Sequence, residues 1–296
     1  MNGIFKKTWT QTFTKSFNKW FFGSLSTLLG LLLLGKNLLG QTNVLYSIYI
    51  GAAVYAGILI IMLLVNGMQN TYYHLKAKYL ESVYGEAIIL LKDTFAHIHA
   101  LRKKAIISDE DFKAAMITVC ECLKKIYDKK TKGNCSVSIK VLKINDVGKD
   151  YTANTEVINL FRDQKSSNRD TTKYLDTKHY IFNNTCYNHI FNNILKSRKN
   201  KLYYLNNDIQ SSKDYANSSI DAYASTEEEA TKKILPYKSE LVVPILPIIN
   251  ENIYNLLGFL CVDGNSNDIF DDLYDLAITQ GVADGIYDII KLKIES

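Results

Sequence analysis

Seven residues carry side chains suited to recognising a small polar molecule. Phe161 and Arg162 close one predicted strand, and Tyr204 and Asn206 belong to the next. Tyr215 and Asn217 lie in the polar segment Gln210–Pro236, and Asp263 ends the last predicted strand. Aromatic rings stack on flat or cationic groups, and a guanidinium grips an anion through paired N–H donors. Converging on one sheet face, these residues form a ligand pocket. Left apart, they are ordinary strand-end and loop residues.

Other chemistry finds less support. The chain has no P-loop, no G-x-G-x-x-G after a strand, no G-x-S-x-G and no H-E-x-x-H. Asp271–Asp272 and the Asp284/Asp288 pair fall on the final predicted helix, where carboxylates are usually solvated. His97 and His99 are two residues apart and therefore face different sides of a helix. Of five cysteines only Cys120 and Cys122 are close in sequence, and no metal-ligand spacing appears. Reduced thiols of a cytoplasmic domain are expected. We expect no catalytic residue, no metal and no cofactor, in a protein that is not an enzyme.

These residues need a scaffold. At 296 residues the chain allows one large or two modest domains. Its net charge of +5 comes from basic residues interspersed with acidic ones beyond residue 100, which argues against a nucleic-acid groove. Residues 1–19 hold Lys6, Lys7, Lys15 and Lys19 without an acid. Residues 20–66 then predict a two-span transmembrane hairpin. An apolar stretch opens at Trp20-Phe21-Phe22, and Val44–Val65 is uncharged and long enough to cross the bilayer core. No small-residue cleavage site marks the first stretch as a signal peptide. Lysines before the first span, and His74, Lys76 and Lys78 after the second, predict both termini and the soluble part in the cytoplasm. The localisation expected is therefore the inner membrane, multi-pass. No acid, histidine or ion pair interrupts the second span, so a transport path is not expected.

Residues 70–105 predict a connector helix. Leu80, Tyr84, Ala87, Leu91, Thr94, Ile98 and Leu101 recur at alternating four- and three-residue steps. That seam suits either a stalk joining two protomers or one amphipathic helix lying on the next domain. Ser108-Asp109-Glu110-Asp111 reads as a capped helix start. Val137, Ile139 and Val141 alternate with Ser136, Ser138 and Lys140 in the first strand, and Glu156–Asp163 predicts the second. A helix is predicted over Tyr180–Lys196, a third strand over Lys201–Leu205, two core strands between Ser239 and Asn265, and a closing helix over Phe270–Ile294. Pro244 and Pro247 place the first core strand at a bulge or a one-sided edge, and Gly258 implies another backbone close by.

At Ser239–Asn265 a resemblance emerges. Tyr237-Lys238-Ser239-Glu240-Leu241-Val242-Val243-Pro244-Ile245, followed by Gly258-Phe259-Leu260-Cys261-Val262-Asp263 and by Ile269-Phe270, resembles the last two strands of a GAF domain. Asn206-Asn207-Asp208 and Tyr215-Ala216-Asn217 are similar to that family's "N-D … Y-x-N" feature, which adds Asp208 to the candidate ligand residues. The resemblance covers residues 109–296 and implies an α+β fold, an antiparallel sheet flanked by helices, with a lid between the third strand and the "V-P-I" strand. The N-K-x-F pattern of cyclic-nucleotide binders is missing, and Cys186 and Cys261 alone do not reproduce the thiol set of the family's reductases. The expectation is a membrane-anchored sensory protein of a bacterial kind, homodimeric or larger, that binds a small molecule or nucleotide and signals through its membrane helices. The lipid bilayer is its other partner, and nucleic acid is not one. Two alternatives stand: a defence-type effector whose hairpin disrupts the membrane when a nucleotide messenger binds, and a scaffold without ligand.

Overall fold

The computed structural model describes residues 44–104, 106–131, 135–143, 151–170, 178–196, 202–220, 235–247 and 255–295, with Gly23 and Gly30. The predicted basic N-terminus, the first span and its linker lie outside these residues, as does the charged run Glu227–Lys233. The chain divides into two compact units, residues 1–79 and 80–296.

In the first unit the described element is the opening part of helix α1, Val44–Arg102. From Tyr49 onward this helix is long and apolar enough to cross a membrane, by length and composition. Ile50, Val54, Ile60, Ile61 and Leu64 are all exposed. Such a band of apolar side chains is costly in water and stable in hydrocarbon.

The second unit begins at Leu80, so the unit boundary falls within the predicted connector. Ala87, Thr94, Ile98 and Leu101 are buried inside the unit, in the core shared with α2 (Asp109–Thr131) and α4 (Tyr274–Glu295). The seam is therefore covered by the helix's own domain. Ser108 Oγ caps α2 by accepting the Asp111 N–H at 3.1 Å.

Six strands form one antiparallel sheet in the order β3-β2-β1-β6-β5-β4. They are β1 (Cys135–Leu142), β2 (Glu156–Arg162), β3 (His179–Tyr180), β4 (Tyr204–Asn206), β5 (Ser239–Ile245) and β6 (Gly258–Gly264). Helix α3 (Thr185–Leu195) lies between β3 and β4 in sequence. The resemblance implied strand, strand, helix, strand, lid, strand, strand, helix, and the observed order differs from it by the short β3 before α3.

Alternation sorts the strand residues between two layers. Val137, Ile139, Leu241, Val243, Leu260 and Val262 join the α1, α2 and α4 side chains in the larger core. Val242, Phe259 and Cys261 face a second core built with Tyr187, Ile190 and Phe191 of α3.

Three local features explain how the sheet is shaped. Gly258 has no room for a side chain, because a Cβ there would lie 1.9 Å from the Lys140 carbonyl oxygen. β4 stops pairing opposite Val242, so Pro244 needs no hydrogen bond on that side. A register shift between Ile139 and Lys140 sets Phe161 opposite Ile139 and Asn159 opposite Lys140, a bulge at Leu160.

The predicted helix over Tyr180–Lys196 begins later than expected. Asn183 Oδ1 accepts the Tyr180 N–H, and Asn184 Nδ2 donates to the Tyr180 carbonyl, so side chains hold a turn where helix was expected.

Candidate functional site

The strand face away from α2 and α4 carries polar side chains at its centre. Ser138 and Lys140 come from β1, Arg162 from β2, Glu240 and Val242 from β5, and Cys261 and Asp263 from β6. The opposite wall is His179 of β3, Asn184 and Tyr187 at α3, and Asn217, Ser219 and Tyr237 of the segment between β4 and β5. Together they enclose a cavity of about 50 Å³, room for on the order of four waters.

The wall is built by hydrogen bonds. Thr185 N–H donates to the Ala216 carbonyl, and Ala216 N–H donates to Thr185 Oγ1. Ser218 Oγ donates to Asn184 Oδ1 at 3.1 Å and lies 2.5 Å from His179 Nδ1. Asn217 Nδ2 donates to the hydroxyls of Tyr237 (2.9 Å) and Tyr215 (3.2 Å). The lid segment is thus tied to α3 and to the strand end before it, over an apolar knot of Ile209, Tyr215, Ile220 and Leu235.

The electrostatics are unusual. Glu240 is 2 % exposed, and its Oε1 has no hydrogen-bond partner. It pairs across the strands with Asp263, a like charge. Burial, then the Asp263 charge, push its carboxyl up to about 8, against a bond from the Tyr215 hydroxyl and the charge of Lys140. Burial, with Lys140 and Arg162 nearby, pushes His179 down to about 3, so its imidazole is neutral. Lys140 Nζ stands 5.7 Å from the Tyr187 ring centre. Burial pushes the Cys261 thiol up to about 12 and the Cys186 thiol well above its ordinary value. The cavity thus holds two cations, two acids and a neutral imidazole.

Of the eight residues expected to bind ligand, Arg162, Asn217 and Asp263 line this cavity. Tyr215 stands behind it, buried, bonding Glu240. Tyr204 and Asn206 are the ends of β4, and Asp208 follows in the turn after it. There Asn206 donates to Tyr204 (3.1 Å) and Ser212 (2.9 Å), and its Oδ1 accepts the Asp208 N–H. Phe161 points to the other face, with its ring 5.4 Å from that of Phe112. Three of the eight expected residues therefore line the cavity, and Tyr215 and Tyr204 reach it through Glu240. Adjacent strand residues face opposite sides, so Phe161 and Arg162 were never able to share a pocket. Lys140, Glu240, His179 and Tyr237 were missed. The available signal was Ser138 and Lys140 alternating with apolar neighbours, and one acid inside the Ser239–Ile245 run.

No known family profile and no curated protein matches the chain. Solved structures do. One is a protein described as a GAF sensor from Burkholderia vietnamiensis, at TM-score 0.44 and 12 % identity, covering 72 % of this chain and 99 % of that one. A GAF domain structure matches at TM-score 0.41 and 13 % identity, covering 68 % and 88 %. A type II free methionine-R-sulfoxide reductase from Thermoplasma acidophilum matches at 0.37 and 15 %, covering 61 % and 93 %. The reductase corrects the expectation that this chain is not an enzyme: enzymes occur among the similar structures, so missing motifs do not exclude catalysis. Ligands and reactions do not transfer at such identities. In its strand order, its lid before β5 and its closing helix, the unit of residues 80–296 has a GAF-like α+β fold.

Proposed function

We propose that this chain is a membrane-anchored sensor that binds a small polar molecule in the cavity between the sheet and the lid residues Asn217, Ser219 and Tyr237. The observation that carries this reading is Glu240, a buried acid with an unpartnered oxygen in a cavity lined by both signs of charge. Buried acceptors are normally satisfied, and an exception calls for an explanation in function. A cavity of about 50 Å³ suits a compact ligand better than a nucleotide.

The anchor is the apolar run of α1, paired with residues 20–43 as a two-span hairpin in the inner membrane, with the soluble unit on the cytoplasmic side. The signal leaves through α1. Its residue Tyr84 donates to Asp275 Oδ1 at 3.2 Å and receives a bond from Lys130 Nζ at 3.3 Å, while Lys130 also pairs with Asp275. Ligand binding biases this helical layer, and α1 responds. Self-association uses the membrane helices and the exposed Ile88 and Ile89.

Native mass spectrometry of the full chain in detergent, purified without denaturation, tests the reading. A small mass that co-purifies and is released on unfolding is the expected result. A chain that carries nothing and is stabilised by no member of a polar metabolite library overturns it, and a retained nucleotide favours the membrane-effector alternative.

A further inference from the structure

Resting on the cavity reading above, we infer that the ligand is a small zwitterion of amino-acid size, its ammonium received by Glu240 and Asp263 and its carboxylate by Arg162 and Lys140. Both signs of charge line the cavity. Glu240 and Asp263 sit directly opposite each other on β5 and β6. Arg162 pairs with Ser138, which pairs with Cys261, two residues before Asp263. The Arg162 backbone is thus roughly 10 Å across the sheet and one pair-step along from that of Asp263, a gap that the long Arg162 and Lys140 side chains narrow. A ligand with one charge fits only half of this arrangement. An anion alone leaves Glu240 Oε1 without a donor and places its charge beside the Asp263 carboxylate. A dication places like charge against Lys140 and Arg162. An ammonium supplies three donors, which answers the unpartnered oxygen and screens the Glu240–Asp263 repulsion that arises once Glu240 ionises.

Binding then moves a proton. Asp263 and Cys261 from β6, Lys140 from β1, Tyr204 from β4, Tyr215 and Tyr237 from the lid and Cys186 and Tyr187 from α3 interact electrostatically with Glu240 or bond it. The tyrosines and thiols stay neutral near pH 7, and Lys140 alone favours the carboxylate by its charge. Glu240 is therefore protonated near pH 7 in the free protein. An ammonium needs the carboxylate, so the proton leaves to solvent as the ligand enters.

The experiment is thermal unfolding and isothermal titration of the dialysed full chain in detergent, with the free L-amino acids as probes. Their N-acetyl and carboxamide derivatives, small dicarboxylates and neutral sugars serve as controls. The expected result is stabilisation by one or a few amino acids and by neither derivative. Affinity should rise about tenfold per pH unit between pH 6 and 8 and then level off, with proton release detected as a heat that depends on the buffer. Glu240→Gln should lose binding, and Asp263→Asn should weaken it should the first variant fail to fold. An N-acetyl derivative as effective as its parent overturns the ammonium contact. Stabilisation by dicarboxylates or sugars alone overturns the zwitterion and leaves the cavity reading standing. No stabilisation by any probe overturns both.

Discussion

Two buried acids, Asp275 in the helical layer and Glu240 in the lid-side layer, are treated differently. On the helical side Asp275 is fully buried and fully engaged: Lys130 pairs with it, the Tyr84 hydroxyl donates to it, and the Asp271 N–H donates to it at 2.7 Å. Burial raises its pKa, and Lys130 opposes the rise. On the lid side Glu240 has one tyrosine, a like charge opposite and a spare acceptor. Where every acceptor is used, the group holds structure. Where one is left over at a cavity wall, the group costs stability and is placed for something else.

Removing each acid should sharpen this contrast, and the largest effect is expected on the structural side. Asp275→Ala leaves Lys130 half-buried without its carboxylate and Tyr84 without its acceptor. Breaking a buried pair from one side costs about 3–5 kcal/mol. Urea unfolding of the full chain in detergent should show a loss of that order, and a loss below about 1 kcal/mol would remove the distinction between the two acids.

Glu240→Gln should act in the opposite sense. The folded carboxyl titrates at about 8 against an ordinary 4.5, so between those values the folded state keeps a proton that the unfolded chain has released. Its stabilising effect is complete below pH 4.5 and is lost as pH rises through 8. The glutamine variant, uncharged throughout, should lie close to the parent near pH 5 and exceed it by about 4 kcal/mol at pH 9. Unfolding midpoints measured across that range decide the matter; parallel curves would show that Glu240 is an ordinary solvated acid.

The fold was more legible than the site, for a physical reason. Strand alternation reports which residues are apolar, and apolar residues make the core. Val137, Ile139 and Val141 and their β5 and β6 counterparts landed where their period placed them. Gly258 was legible too, since its close backbone neighbour is the Lys140 carbonyl. A pocket forms on the polar side of the same period, and polarity does not distinguish a cavity from bulk solvent. Lys140 and Ser138 read as a solvated face until the lid was seen to cover them. The bulge at Leu160 and the turn held by Asn183 and Asn184 rest on side-chain geometry that no periodicity carries. The α1 seam was visible, but not whether its partner was a second copy or its own domain.

Gly285 offers a smaller test of that last point. A Cβ at this position would lie 2.2 Å from Phe95 Cε1, so α4 approaches α1 through a missing side chain. Gly285→Ala gains helix propensity, but overpacking of about 1–3 kcal/mol should outweigh it. A net loss of stability in thermal unfolding is expected. A gain would mean that Phe95 moves aside freely and that the α1–α4 contact is loose.

The smallest effect is expected at the rim. Arg102 pairs with Asp288 as Lys130 pairs with Asp275, and both pairs join the same helical layer. The difference is exposure: the Arg102 and Asp288 side chains are 44 % and 52 % exposed, against 15 % and 0 % for Lys130 and Asp275. Water already solvates the rim charges, so little is gained when they meet and little is stranded when one is removed. Arg102→Ala should therefore cost less than about 1 kcal/mol, and the cost should fall as salt is raised. The same salt series should leave the Asp275→Ala deficit nearly unchanged, because that pair is shielded from mobile ions. Equal salt sensitivity in the two variants would mean that solvent reaches Asp275, and the helical layer would lose its claim to be the rigid side of the domain.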